Sequence, residues 1–309
     1  MSRAVLEVEH AGPLTTIQDE GRRGMMRYGV PASGPMDRTA FGIAQAALGN
    51  EPGAGCVEVS LGGLTLRCLE GPVTIATAGG GFKVTIDGQI TSSWGVATLQ
   101  PGSRLAIQAG LWGTWTYLCF AGRMATSSWL GSCSTHLRSG FGGGRVTAGA
   151  QLIVEASMQQ TRACGAIVLP VTARPRREIR VVLGPQDRFF SPQAVTDFFA
   201  GPYMLTSSYD RMGVRLRGPS LSISGTLDMP SEAVVRGSIQ VAGDGTASVL
   251  LADHQTTGGY PKIATIASID IDAFAQLRPN ALVRFRAITP EQAVAQSRRR
   301  NRLAAPSCS

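Results

Sequence analysis

Apolar and polar residues alternate with a period of two along much of this 309-residue chain, and that period constrains the fold most strongly. Residues 5–9, 82–86 and 214–217 are clear examples. Successive side chains of a strand point to opposite faces, so this alternation is typical of half-buried β-strands. Turn dipeptides such as Asp87-Gly88 separate the alternating segments. The sequence therefore predicts a mainly β protein.

Two segments depart from this period and predict short helices. In residues 37–48 apolar side chains recur at three and four positions, and Asp37 is suited to the N-cap. Residues 191–199 repeat the pattern, with Pro192 in the first turn and Gly201 after the last. One helix is therefore expected in each half of the chain.

Each predicted helix follows a similar phrase, Gly-Pro-Met-Asp-Arg at 34–38 and Gly-Pro-Gln-Asp-Arg at 184–188. The two phrases are about half a chain apart, which predicts two related β domains, each with one helix. A segment rich in proline and arginine marks the boundary. The predicted organisation is a first domain at 1–169, a linker at 170–177, a second domain at 178–288 and a basic, disordered tail at 289–309.

The net charge of +8, from 29 basic and 21 acidic residues, raises the question of a nucleic-acid partner. Its excess is concentrated in the tail and linker, and aromatic residues make up only 6% of the chain. The six cysteines form no CxxC pair and the three histidines are far apart, so no zinc spacing is present. No apolar run suits a membrane helix or a signal peptide. We expect a cytoplasmic protein without metal, nucleic-acid or membrane partners.

The segment 253–262, Asp-His-Gln-Thr-Thr-Gly-Gly-Tyr-Pro-Lys, has an unusual density of reactive side chains. Burying so many polar groups without a ligand is costly. Gly258 and Gly259 allow backbone N–H groups to approach a ligand oxygen, and His254 can exchange a proton near neutral pH. A polar hairpin loop with one satisfied histidine is the alternative interpretation.

Arg211 and Arg215 stand near the start of a predicted strand, where alternation would place both on one face to hold a carboxylate or phosphate. The alternative is a salt bridge from Asp210 to a neighbouring arginine, with Arg215 solvated. In the first half, Asp37 fits a helix cap better than a catalytic acid. No P-loop or GxGxxG signature is present.

Five phrases, taken together and in order, resemble the C subunit of bacterial ATP-dependent 5-oxoprolinase. This family is also called allophanate hydrolase subunit 2 or the biotin-dependent carboxyltransferase family. The phrases are residues 17–22, 29–37, 184–189, 210–213 and 253–262. The resemblance covers residues 4–295 and implies two cyclophilin-like β-barrel domains in a cytoplasmic complex with subunits B and A. That complex would open the lactam 5-oxoproline to glutamate with ATP, and with Mg at the level of the complex.

The family resemblance implies two other activities as alternatives. One is the carboxyltransferase component of a biotin-dependent urea or amide carboxylase. Because no Met-Lys-Met phrase occurs here, biotin would be carried by another chain. The other is a regulatory protein that sequesters a kinase-inhibitor-like partner.

The resemblance also implies the roles of individual residues, in a subunit expected to be inactive alone. The residues proposed for catalysis are His254, Gln255, Tyr260 and Lys262. Those proposed for binding the amide or lactam substrate are Arg211, Arg215, Thr256, Gly258, Gly259, Ser33 and Asp37.

The chain departs from the family pattern at several loop positions. Cys133 replaces an expected arginine, and Gly81 an expected aspartate. Ala233 and Arg236 stand where glycine and proline are usual, and Tyr209 where a small polar residue is common. These changes leave open an altered substrate or a lost activity.

Overall fold

The structure is a computed structural model that describes residues 2–159, 164–224 and 229–304. It is mainly β, as the alternation predicted. The chain divides into two compact units, Met1–Pro175 and Arg176–Ser309. That division falls inside the predicted linker segment, 170–177. Within the linker, Val171–Ala173 forms a 3-10 turn, and buried Ala173 belongs to a core cluster of the first unit.

The first unit is built from two antiparallel sheets. One has seven strands in the order β11-β12-β1-β4-β9-β6-β7, and the other has six in the order β13-β8-β5-β10-β3-β2. The strands are β1 (Arg3–Ala11), β2 (Thr16–Gln18), β3 (Cys56–Val59), β4 (Leu64–Glu70), β5 (Val73–Gly79), β6 (Lys83–Ile86), β7 (Gln89–Thr91), β8 (Gly95–Leu99), β9 (Arg104–Gln108), β10 (Thr116–Phe120), β11 (Arg123–Met124), β12 (Gln151–Glu155) and β13 (Gly165–Ala166).

The six-stranded sheet is buried on both faces, as β10 illustrates. Leu118 and Phe120 belong to the core shared with the seven-stranded sheet, whereas Tyr117 and Cys119 belong to the cluster under helix α1 (Arg38–Ala47). Because both faces are covered, β10 is apolar at nearly every position. Asp37 caps α1 as predicted, since its carboxylate accepts from the Ala40 N–H at 2.9 Å.

The second unit contains a closed barrel with the strand order β14-β21-β18-β19-β16-β15-β22. Neighbouring strands of the barrel are antiparallel, except for the parallel pair β14 and β22. A separate two-stranded sheet pairs β17 with β20. The strands are β14 (Glu178–Leu183), β15 (Tyr203–Tyr209), β16 (Gly213–Arg217), β17 (Glu232–Ala233), β18 (Ser238–Val241), β19 (Ala247–Leu250), β20 (Thr257–Gly258), β21 (Lys262–Ile266) and β22 (Leu282–Ala287).

Helices α2 (Pro192–Ala200), α3 (Ile271–Ala275) and α4 (Pro290–Ala304) belong to the second unit. The Ser191 hydroxyl caps α2 by accepting from the Ala194 N–H at 3.1 Å, and Gly201 ends the helix. The predicted start and stop of α2 are therefore confirmed. Short 3-10 turns also occur at Met26–Tyr28 in the first unit and at Asp187–Phe189 in the second.

The prediction of a disordered tail at 289–309 is wrong for α4. Thr289 and Gln292 form a reciprocal capping box, with hydrogen bonds of 3.1 and 3.2 Å. Farther along the helix, Gln296 accepts from Arg180, and Arg300 pairs with Asp272 at 3.3 Å. This basic segment, which the sequence predicted to be disordered, is therefore a capped helix that contacts other residues of the second unit. Residues 305–309 lie outside the described part of the chain.

Candidate functional site

The polar segment 253–262 connects β19 to β21, which lie on either side of β18 in the barrel. Within it, β20 pairs with β17, so that Gly258 faces Glu232 and Thr257 faces Ala233. The segment is therefore held at both ends by the barrel and in the middle by a small sheet outside it.

A buried ion pair fixes the start of this segment. The Arg211 guanidinium donates to both carboxylate oxygens of Asp253, at 3.0 and 2.9 Å. The two side chains are only 2% and 4% exposed. The Asp253 N–H also donates to the Arg211 carbonyl at 2.8 Å. Removing one member of such a pair leaves a buried charge and typically costs about 3–5 kcal/mol.

The predicted anion clamp of Arg211 and Arg215 is wrong in its geometry. Arg211 precedes β16 and is buried against Asp253. Arg215 lies within β16 and is exposed, lining a cavity of about 240 Å³ together with Asp244. Alternation failed here because the strand begins only at Gly213, after the first arginine. Among the described residues Asp210 forms no salt bridge, and its carboxylate accepts from the backbone N–H groups of Met212 and Gly213. Arg215 is exposed, as the same alternative predicted.

His254 is 4% exposed, and its hydrogen bond defines the tautomer of the ring. Nδ1 lies 2.6 Å from the carbonyl oxygen of Gln255. A carbonyl oxygen can only accept, so Nδ1 carries the proton and the lone pair of the neutral ring is on Nε2.

The carboxamides of Gln255 and Gln240 lie next to each other. Gln255 Nε2 donates to Gln240 Oε1 at 3.1 Å, and Gln240 Nε2 donates to the Tyr260 carbonyl at 3.4 Å. A Cβ on Gly258 would lie 2.5 Å from Gln240 Nε2, so a side chain there would displace this amide. Gly259 has no comparable crowding, since its nearest neighbour would be 3.6 Å away. A glycine at 258 therefore leaves room for the Gln240 amide in its present position.

Lys262 is 3% exposed, and among the described residues its ammonium has no hydrogen-bond partner. Its salt-bridge partner is Glu232 Oε2, at 3.7 Å. Gln186 contacts both residues: its Oε1 accepts from the backbone N–H of Lys262 at 2.9 Å, and its Nε2 donates to Glu232 Oε2 at 2.5 Å. An ammonium that donates to nothing is a site for an anionic oxygen.

The remaining predicted residues of the segment lie toward its surface. Tyr260 is 50% exposed. Thr256 is half-buried, and its carbonyl accepts from the Val234 N–H at 3.1 Å. Contacts with Gln240 link Gln255, Gly258 and Lys262, and His254 joins them through its bond to the Gln255 carbonyl. The structure adds three residues that the sequence interpretation missed: Gln186, Glu232 and Gln240. The sequence signals for two of them are the repeated phrase containing Gln186 and the amide at 240, between Ile239 and Val241.

Ser33 and Asp37 belong to the first unit. The Asp37 N–H donates to the Tyr117 hydroxyl at 2.7 Å, and that hydroxyl donates to Glu58 at 2.8 Å. Ser33 has a left-handed backbone with φ of 55°, and its buried hydroxyl lacks a hydrogen-bond partner among the described residues. It lines a cavity of about 330 Å³ that also involves Arg38.

The structure explains two departures from the family pattern. A Cβ on Gly81 would lie 2.3 Å from Nε1 of Trp112, so an aspartate cannot be accommodated beside this tryptophan. Cys133 is buried, and its N–H donates to Asp19 at 2.6 Å. Burial, followed by the Asp19 carboxylate, raises the pKa of the Cys133 thiol to about 12. This thiol is consequently protonated at neutral pH and is not a nucleophile.

Three further departures make contacts within the second unit. The Arg236 side chain is 7% exposed and lies 3.8 Å from Asp272. The Tyr209 hydroxyl donates to the Ala275 carbonyl at 2.5 Å. Ala233 pairs with Thr257 between β17 and β20. These residues stabilise the surroundings of the segment.

Across the three described ranges, no cluster of at least three His, Cys, Asp or Glu side chains is arranged to hold a metal ion. In the same ranges, no helix has the length and apolar character needed to span a bilayer. The segment instead offers a base, two amides and an ammonium. Such a set can polarise a carbonyl, move a proton and hold an anion.

Comparison with known proteins agrees with the resemblance drawn from the five phrases. The chain is 33% identical over 291 residues to the C subunit of 5-oxoprolinase from Haemophilus influenzae, which covers 93% of this chain and 92% of that protein. It is 29% identical over 304 residues to the urea amidolyase of Saccharomyces cerevisiae, covering 91% of this chain but 16% of that protein.

Solved structures show the same fold. The urea carboxylase of Kluyveromyces lactis matches with a TM-score of 0.86 at 24% identity, covering 98% of this chain and 29% of that one. The chain thus spans less than a third of that solved structure. The family model for the carboxyltransferase domain, subdomain A and B, matches residues 28–287. This chain therefore belongs to the carboxyltransferase domain family, subdomain A and B.

Proposed function

We propose that this chain is the C subunit of a 5-oxoprolinase, a hydrolase complex that opens the lactam of 5-oxoproline to glutamate. The observation that carries the proposal is the similarity to the C subunit of 5-oxoprolinase along 93% of this chain and 92% of that relative. Such a protein requires partners, and we assign these roles to subunits B and A in the cytoplasm. The chain is inactive alone under this proposal.

The roles of the residues follow from their geometry. His254 Nε2 accepts a proton during attack on the lactam carbonyl, because Nδ1 is engaged by the Gln255 carbonyl at 2.6 Å. The amides of Gln255 and Gln240 orient the carbonyl and stabilise the negative charge that develops on its oxygen. Lys262 holds an anionic group of the substrate. Arg211 acts through Asp253, as a positioning residue that fixes the start of the segment.

ATP supplies the free energy for lactam opening under this proposal, with Mg bound at the level of the complex. The buried Lys262 ammonium, which lacks a hydrogen bond among the described residues, fits an anionic oxygen of a phosphate or a carboxylate. We assign no residue of this chain to Mg. Biotin enters only under the carboxyltransferase alternative, on another chain.

The test is ADP release by the purified chain mixed with its companion subunits, with and without 5-oxoproline. We expect lactam-dependent release that avidin does not inhibit, and a loss of about 10²–10⁴-fold in kcat for His254→Ala. His10→Ala is the matched control, since His10 is an exposed histidine bonded to the Gly62 carbonyl in the first unit. Full activity of a folded His254→Ala complex would contradict the assignment of this histidine.

A carboxyltransferase component of a urea or amide carboxylase is the second candidate. The identity of 29% to a urea amidolyase over 304 residues favours it, although the match covers 16% of that protein. Avidin separates the candidates, because only biotin-dependent carboxylation is sensitive to it. A regulatory binding role would instead give tight partner binding that is indifferent to substitution of His254 or Gln255.

A further inference from the structure

The unsatisfied ammonium of Lys262 is the strongest unexplained feature of the second unit. It is more than nine-tenths buried and, among the described residues, donates no hydrogen bond. An ammonium has three N–H donors, and leaving them unpaired in the interior is unfavourable. Its contact with Glu232 Oε2, at 3.7 Å, supplies charge without a hydrogen bond. The ammonium is therefore placed to gain an oxygen at shorter range.

Glu232 lies next to this ammonium and is partly exposed to solvent. Its side chain is 45% exposed, in contrast to the 3% of Lys262. It lies on the two-residue strand β17, in the small sheet outside the barrel. The direct hydrogen bond to its carboxylate comes from Gln186 Nε2 at 2.5 Å. If another carboxylate takes its place beside Lys262, the Glu232 side chain can turn toward solvent.

We propose that Lys262 and Gln186 form a subsite for the carboxylate of the ligand, and that Glu232 occupies this subsite as an internal substitute in the ligand-free chain. The inference rests on the proposed function for the identity of the ligand, a lactam that carries a carboxylate. On binding, the ligand carboxylate accepts from Lys262 Nζ and Gln186 Nε2, and Glu232 turns toward solvent. The net charge around Lys262 is unchanged by this exchange, because one carboxylate replaces another.

The arrangement favours a carboxylate over a phosphate. One oxygen of Glu232 accepts from the neutral Gln186 amide, and the Lys262 ammonium lies 3.7 Å from the same oxygen. A phosphate dianion requires more positive charge to offset its desolvation. Because Gln186 Oε1 also accepts from the Lys262 N–H, the orientation of its amide is fixed with Nε2 toward the subsite.

Binding of matched ligands to the full-length chain, alone and with its companion subunits, tests this subsite by calorimetry. The ligands are 5-oxoproline and 2-pyrrolidinone, which share the lactam and differ in the carboxylate, together with acetate and inorganic phosphate. We expect Glu232→Gln to tighten binding of 5-oxoproline and acetate by about tenfold, since it removes an internal competitor. Lys262→Met should weaken both by about tenfold or more. Binding of 2-pyrrolidinone should be unchanged.

Glu178→Gln is the matched control, because it makes the same charge change at an exposed carboxylate of the same unit, 3.3 Å from Arg286. Thermal unfolding of each variant verifies that it is folded. Unchanged or weaker binding of 5-oxoproline and acetate to folded Glu232→Gln would overturn the subsite, and phosphate binding that follows the same pattern would overturn its assignment to carboxylates. If acetate follows the expected pattern while 5-oxoproline neither binds nor turns over, the subsite stands and the proposed function fails. If the complex converts 5-oxoproline but neither substitution changes its binding, the proposed function stands and the subsite is overturned.

Discussion

The two Gly-Pro-x-Asp-Arg phrases begin with the same glycine conformation and then differ, since the Gly184–Pro185 peptide bond is cis and the third residues have different neighbours. Gly34 and Gly184 both have a left-handed backbone, with φ of 87° and 91°. In the first copy, Met36 is fully buried and its N–H donates to Glu58 at 2.7 Å. In the second copy, Gln186 is 1% exposed and bonds to Lys262 and Glu232. The third residue of the phrase therefore packs in the interior in the first copy and makes polar contacts in the second.

The two phrases also differ in how the helix that follows each of them is capped. Asp37 of the first phrase caps α1 with its carboxylate, whereas α2 is capped by Ser191, four residues beyond Asp187. The first copy thus uses its polar group for local structure. In the second phrase, Ser191 caps the helix instead, and Gln186 contacts Lys262 of the segment 253–262.

Breaking the ion pair under that segment should give the largest loss of stability. Arg211→Met leaves Asp253 buried without its partner, and we expect a loss of about 3–5 kcal/mol in the free energy of unfolding. Arg215→Met, at an exposed position of the neighbouring strand, should change it by less than about 0.5 kcal/mol. Chemical denaturation of the two variants measures both values. Equal effects would show that burial of the Arg211–Asp253 pair does not matter.

Exchanging the third residues of the two phrases tests their division of roles directly. Met36→Gln buries an amide in an apolar core and should cost about 2–3 kcal/mol of stability. Gln186→Met removes the hydrogen bonds to the Lys262 N–H and Glu232, and it should lower kcat/KM by about tenfold or more. Met36→Gln should leave the kinetics of the folded complex unchanged. Turnover that falls equally in both variants would contradict the division.

The helix caps should have a smaller effect, similar in the two units. Asp37→Ala and Ser191→Ala each remove an acceptor for a helix N–H group, and each should cost about 1 kcal/mol. Differential scanning calorimetry resolves the two shifts. A fall in turnover of the folded Asp37→Ala complex at saturating substrate would instead assign this carboxylate to the chemistry.

The smallest effect expected at neutral pH is that of Asp19 in the first unit, whose contribution to stability changes as the pH falls. Burial raises the pKa of Asp19, but hydrogen bonds from Ser132, Ser134, Gly21 and Cys133 outweigh it and leave that pKa below its ordinary value. Asp19 therefore contributes stability above its unfolded pKa, and this is lost as pH falls through the folded value. Asp19→Asn should flatten the decline of stability between about pH 5 and pH 2. An unchanged slope would exclude this contribution.

Local patterns in the sequence predicted the fold better than the site. Alternation and capping residues report on neighbours in the chain, so the β class and the ends of α2 followed directly. The site depends on contacts over long separations, such as Gln186 with Lys262 and Arg211 with Asp253. No periodicity encodes those partners. The prediction of a disordered tail is wrong because its arginines favour solvation, whereas Thr289 and Gln292 form a capping box that begins a helix.

Formation of glutamate from 5-oxoproline by the assembled complex tests the central claim most directly. The measurement compares complexes that contain the wild-type chain, the His254→Ala chain or no copy of this chain, at equal concentrations of the companion subunits and ATP. The account predicts glutamate only with the wild-type chain, and a rate about 10²–10⁴-fold lower with His254→Ala. Glutamate formed at the full rate without this chain, or with the folded His254→Ala chain, would contradict it.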